Sequence, residues 1–149
     1  MPKNTLIDLI QYICKYKSNK KGKQDYLIPF LTYAKTNMEQ YQALAAQIQT
    51  PDWRIKEALM TAVGFLEGEI SQEKATLGPM MEPLMATHVL PELSSVQPML
   101  RARANWLYGE FSAFKFADEE HIKRAIDGVY QSLFAPELPV RFQACIALS

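Results

Sequence analysis

Three times along the chain an apolar residue followed by a cation stands just inside a run of apolar residues spaced by threes and fours: Ile55-Lys56, Leu100-Arg101 and Val140-Arg141. Four positions after the first member of each pair come Leu59, Ala104 and Ala144, and nine positions after it Gly64, Gly109 and Ser149. The copies are 45 and 40 residues apart, a period that selects stacked helix pairs over shorter repeat types. One helix pair cannot bury its apolar face alone, so the units must stack. The expected fold is all-α, a solenoid of antiparallel helix pairs of the HEAT or armadillo kind. In such a stack the small residues allow close helix approach, and the apolar residue ahead of each cation anchors its helix in the shared core.

The remaining pattern agrees with this. The run Leu27, Phe30, Leu31, Ala34, Met38, Tyr41, Leu44, Ala45 and Ile48 has helical spacing, with Asp25 as its expected cap and Pro29 in its first turn. After Thr50-Pro51-Asp52 the stripe Ile55, Leu59, Ala62, Val63, Leu66 and Ile70 marks a second helix. Leu77, Met80, Met81, Leu84, Met85, His88 and Val89 mark a third, with Pro79 and Pro83 starting or kinking it and Pro91 ending it. Pro98 opens the helix of Leu100, Ala104, Leu107, Phe111 and Phe114. Asp118, Glu119 and Glu120 suit the positive end of the next helix dipole, whose expected buried stripe is Ile122, Ile126, Val129 and Leu133. The last run, from Pro139 through Val140, Phe142, Ala144, Cys145 and Ile146, is apolar on nearly every side and calls for another helix beside it. The expected units are residues 25–70, 77–114 and 118–149, preceded in 1–24 by a short helix and a basic loop. The whole reads as a piece of a longer polypeptide.

The 149 residues carry 16 basic and 16 acidic side chains, so no net field draws the chain to nucleic acid or an acidic membrane. Residues 1–49 hold 7 basic and 3 acidic groups and residues 50–100 the reverse, 3 and 7. The basic excess centres on Lys15, Lys17, Lys20, Lys21 and Lys23, a solvated loop or a localisation-type signal without the aromatics of a single-strand platform. No apolar run approaches the roughly 18 residues of a membrane span. Cys14, Cys145, His88 and His121 are scattered without metal-ligand spacing, and the glycines stand singly, so neither a zinc site nor a phosphate loop is indicated. Both cysteines read as buried thiols, His88 as a packed core histidine, and Trp53 and Trp106 as packing residues. Met80, Met81, Met85 and Met99 read as core at helical spacing or, alternatively, as an adaptable groove.

Longer stretches carry a family resemblance. His88-Val89-Leu90-Pro91-Glu92-Leu93-Ser94-Ser95, Met99-Leu100-Arg101-Ala102-Arg103-Ala104-Asn105-Trp106, Glu110-Phe111, Phe114-Lys115-Phe116 and Leu138-Pro139-Val140-Arg141 resemble the middle of importin-β-type nuclear transport receptors, nearest the importin seven and eight branch. Pro51-Asp52-Trp53-Arg54 through Gly64 is similar to the preceding unit; residues 1–50 match only in helical pattern. The resemblance implies a HEAT solenoid without enzymatic chemistry or cofactor, shuttling between cytoplasm and nucleus. Its implied partners are protein cargo, phenylalanine-glycine nucleoporins and Ran-GTP, with the Ran site mainly in N-terminal repeats outside these residues. Neither membrane insertion nor direct nucleic-acid binding is implied.

It also places the second helix of each pair on the concave face, where Lys56, Arg101, Arg103 and Arg141 become the candidate site residues. They either bind acidic cargo or tie one repeat to the next through turns and helix ends. A HEAT pattern expects an Asp six residues ahead of each cation, where this chain has Thr50, Ser95 and Ala135; Asp52 and Glu137 are nearby substitutes. Alternative readings are a HEAT scaffold unrelated to transport, the export receptor for importin-α, and a HEAT-fold metalloenzyme.

Overall fold

Sequence spacing resolves into helices that pair and stack in a computed structural model, which describes residues 26–47 and 50–149. Helix α1 spans Leu27–Ala46, α2 Trp53–Phe65, α3 Glu67–Gln72 and α4 Lys74–Leu84. The last continues through a π-helical turn, Met85–Val89, into a 3-10 turn, Leu90–Ser94. Helix α5 spans Pro98–Glu110, with a 3-10 turn at Phe111–Ala113, followed by α6 at Glu119–Ser132 and α7 at Leu138–Ala147. No strand occurs among the described residues.

Helices α2, α5 and α7 form one row, in which α5 packs against both of the others. Helix α1, the stretch 74–94 and α6 form a second row that covers the first. The core between the rows includes Leu31, Met38, Val63, Leu77, Met81, Leu100, Leu107 and Phe111, each at most 1% exposed. This two-row stack of helix pairs is the all-α solenoid architecture that the repeat predicts.

Local signals explain most boundaries. Asp52 caps α2 by accepting from the Arg54 amide, and Asp118 caps α6 by accepting from the amides of Glu120 and His121. Pro98 occupies the first position of α5, where a missing N–H costs nothing. The expected cap Asp25, the basic loop, Cys14 and Ile48 lie outside the described residues. Helix α4 begins at Lys74 and carries Pro79 and Pro83 in its interior, and the backbone loosens into the π-helical turn just after Pro83. Pro91 falls inside the 3-10 turn that closes the segment.

Two stripes are rotated by one residue from expectation. In α2 the buried positions are Lys56, Glu57, Met60, Thr61, Val63 and Gly64, while Ile55 is 55% exposed and Leu59 half-buried. The expected anchoring of the core by the residue before the cation therefore holds for Leu100 and Val140 and fails for Ile55, because Lys56 turns inward to an acidic partner. In α6 the buried positions are His121, Ala125, Val129 and Ser132, while Ile126 is 54% exposed. Gly128 sets that rotation, since a Cβ there would lie 2.7 Å from Leu93 and close contact needs its bare backbone. The expected helix through Ile70 breaks at Leu66, which lets Leu66 and Ile70 both enter the core. Cys145 is exposed, contrary to the buried thiol expected, because α7 turns Val140 and Ala144 inward instead.

Candidate functional site

All four candidate cations sit on the second-helix row, and each has internal partners. Lys56 is 0% exposed, and its ammonium donates to Glu92 Oε1 at 2.6 Å while lying 5.3 Å from the Tyr41 ring centroid. Burial holds the Lys56 ammonium below its ordinary range against the opposing pull of the Glu92 carboxylate. Glu92 belongs to the 3-10 turn of the following unit, so this pair joins one unit to the next.

Arg103 reaches the other way. Its Nε and Nη2 donate to Glu57 Oε1 on α2 at 2.9 and 2.7 Å, and the guanidinium carbon lies 4.7 Å from the Trp106 ring centroid. Trp106 in turn packs on Gly64, where a Cβ would stand 2.3 Å from its ring. The equivalent glycine one unit later, Gly109, lies against Ala147 of α7, with a Cβ distance of 3.3 Å. The ninth-position small residues thus mark where successive second helices touch.

Arg101 and Arg141 share a grip on the chain behind them. Arg101 Nη1 donates to the Ser95 carbonyl at 2.6 Å, and Arg141 Nη1 to the Ala135 carbonyl at 2.8 Å and the Pro136 carbonyl at 2.9 Å. These acceptors stand where the HEAT pattern expects an Asp side chain; a backbone carbonyl fills the same role and leaves the residue type free. Arg101 also pairs forward with Glu137 Oε2 at 2.5 Å, which holds the Glu137 carboxyl below the usual carboxylate range. Asn105, beside it on α5, donates to the Arg101 carbonyl and to Ser132 Oγ on α6. The result is a ladder of ion pairs, Lys56–Glu92, Glu57–Arg103 and Arg101–Glu137, each crossing from one unit to the next.

Sequence reasoning named the cations and missed the acids Glu57 and Glu92. A signal existed: Lys56 to Glu92 and Arg101 to Glu137 are both separations of 36 residues.

A second polar cluster joins α4, α5 and α6. His121, 3% exposed, places Nδ1 3.1 Å from Glu82 Oε1 and Nε2 2.9 Å from the Tyr108 hydroxyl. The network fits Nδ1–H donating to the carboxylate and Nε2 accepting from the phenol. Glu82 also accepts the Ala117 and Asp118 amides, which together with His121 outweigh burial and lower its carboxyl pKa. Burial pushes the Tyr108 phenol well above its ordinary range. Tyr108 and His121 line a cavity of about 580 Å3 bounded by Phe111, Phe114, Ile122 and Val129. The cluster works as a clip between α4 and α6, the first helices of successive pairs.

His88 lies in the π-helical turn, 1% exposed, with Nδ1 lacking a hydrogen-bond partner. Burial, reinforced by the nearby Lys56 charge, lowers its pKa below the usual 6.5. Its neutral form therefore contributes stability that is fully present above about pH 6.5 and lost as pH falls through the lowered folded value. Denaturant melts between pH 7.5 and 5 are expected to show stability falling more steeply in the parent than in His88→Leu; parallel pH profiles would contradict the assignment.

Among the described residues no group of three or more His, Cys, Asp or Glu side chains could hold a metal ion, and no helix is long and apolar enough to cross a membrane.

No family model matches the chain, and no solved structure matches it. Over 137 residues, 89% of its length, it is 31% identical to importin-8 of Homo sapiens. Over 147 residues, 99% of its length, it is 26% identical to the importin beta-like SAD2 homolog of Arabidopsis thaliana, and over 144 residues 27% identical to a probable importin-7 homolog of Dictyostelium discoideum. The chain spans 12% to 14% of the length of these relatives. With similarity that runs through all three helix pairs, the chain belongs to the importin-β superfamily of HEAT-repeat proteins.

Proposed function

We propose that this chain forms part of a nuclear transport receptor and contributes to protein cargo binding in Ran-GTP-regulated import. The observation that carries the reading is similarity to importin-8 and importin-7 relatives across 89% and 95% of the chain, rather than across one motif. In this role Lys56, Arg101 and Arg103 act chiefly as inter-repeat ties and Arg141 as a tie within its own unit, since each already has internal acceptors. Cargo is then held by the shape of the stack, and small rotations between units add along it, coupling Ran-GTP at a distant site to cargo release. Phenylalanine-glycine nucleoporins are the expected partners of the outer helices, and the protein shuttles between cytoplasm and nucleus.

The test replaces the matching stretch of human importin-8 with residues 1–149 and measures cargo import into permeabilised cells with Ran and GTP. The chimera is expected to bind cargo, release it to Ran-GTP and import it at a rate comparable with the parent. A chimera that melts like the parent but binds no cargo would contradict the proposal.

A further inference from the structure

His121 stands between a carboxylate and a hydroxyl that has a second acceptor within reach. Its Nδ1 lies 3.1 Å from Glu82 Oε1 on α4, and its Nε2 lies 2.9 Å from the Tyr108 hydroxyl on α5. The same hydroxyl lies 3.4 Å from the Met85 carbonyl. A phenol has one hydrogen to donate, so it serves His121 or Met85 and not both. Met85 opens the π-helical turn, and its carbonyl accepts the Leu90 amide that closes that turn. Two residues on, the Thr87 carbonyl accepts from Gln42 Nε2 on α1 at 2.9 Å.

We propose that His121 takes up a proton in place and that the Tyr108 hydroxyl then turns from His121 to the Met85 carbonyl. The charge state of a residue on α6 is thereby read by the π-helical turn of the preceding unit. With His121 neutral, Nδ1–H donates to Glu82 and the hydroxyl donates to Nε2. When a proton from water binds Nε2, that nitrogen becomes a donor to the phenolic oxygen. The hydroxyl hydrogen swings to Met85 by rotation about its C–O bond. No covalent bond of the chain breaks, Glu82 stays a carboxylate, and each group from Glu82 to Met85 keeps a partner in both states. The tie that tightens on protonation is the longer one, between α5 and the turn.

The surrounding groups leave the proton to the imidazole. Glu82 is lowered, despite burial, by the Ala117 and Asp118 amides and His121, and burial raises the Tyr108 phenol. Asp118 accepts the His121 amide at the start of α6, and the Arg124 charge acts on the phenol. Lys115 and Glu119 line the neighbouring cavity, to which α7 brings only Ala147 and Leu148. His88 is the other imidazole of the chain and sits in the π-helical turn itself, so its titration must be separated from that of His121.

The test is an NMR titration, from about pH 8 to 5, of the 149-residue chain carrying His88→Leu, which leaves His121 as the one imidazole. The His121 ring is expected to carry a proton on Nδ1 alone at the start and on both nitrogens at the end, with the chain folded throughout. The Met85 carbonyl carbon is expected to shift with the same midpoint as the ring. Adding Tyr108→Phe is expected to abolish that shift while the ring still titrates. A ring that gains its proton only as the chain unfolds would overturn the proposal, as would a Met85 carbonyl that ignores the titration or follows it equally without the hydroxyl. If either variant fails to fold, the parent decides, because its two imidazoles are followed separately: a Met85 carbonyl that tracks His88 instead of His121 overturns the proposal.

Discussion

Replacing Glu92 by alanine is expected to lower the unfolding free energy by about 3–5 kcal/mol, among the largest single-site effects in this chain. The substitution leaves the Lys56 ammonium, 0% exposed, without its carboxylate at 2.6 Å and with only the Tyr41 ring as electrostatic support. An uncompensated charge in a core must either deprotonate or drag water inward, and both cost most of the desolvation that the pair had offset. The double substitution Lys56→Met with Glu92→Leu removes both charges and is expected to be far less damaging than Glu92→Ala alone. Urea unfolding of the parent, the single variant and the double variant checks this. A double variant as unstable as Glu92→Ala would show that the pair contributes more than mutual neutralisation.

Placing valine at Gly64 is expected to cost about 3 kcal/mol, at the upper end of what overpacking usually does. The Cβ alone would stand 2.3 and 2.4 Å from two atoms of the Trp106 ring and 2.9 Å from Leu107, so α2 and α5 must separate or the indole must leave its place. Moving the indole also breaks its stack on Arg103, 4.7 Å away, and so loosens the Glu57 tie. Trp106→Leu in the same molecule is expected to return part of the loss by making room. Thermal melts of Gly64→Val with and without Trp106→Leu read this directly, and strict additivity of the two losses would argue against the contact as the cause. At Gly109 the Ala147 contacts begin at 3.2 Å, so alanine there is expected to be better tolerated.

The architecture was legible because helical spacing and a repeated register are local properties. The stripe Leu100, Ala104, Leu107, Phe111 and Phe114 is buried throughout, as is Leu77 with Met81, Leu84, Met85, His88 and Val89. Legibility failed where a polar side chain was buried by a partner distant in sequence. Lys56 and His121 are hydrophilic and stand outside the apolar stripes from which the faces of α2 and α6 are read, so those faces are expected one residue away from where they lie. Their partners Glu92 and Glu82 lie 36 and 39 residues away, beyond any periodicity within a helix. Lys56, Arg101 and Arg141 are legible from their register, but the acceptors of Arg101 and Arg141 include backbone carbonyls, which leave no trace in residue type.

The account rests on cations that bind the units of the solenoid to one another, and the Arg103–Glu57 pair is where that can be measured most directly. A double-mutant cycle with Arg103→Ala and Glu57→Ala, read by urea unfolding, isolates the pair because the stack of Arg103 on Trp106 is lost equally in both arms. The predicted coupling is about 1–2 kcal/mol, fitting a charge-assisted contact made by two donors in a mostly buried setting. A coupling indistinguishable from zero would contradict the ladder and return Arg103 to the pool of cations free to meet a partner.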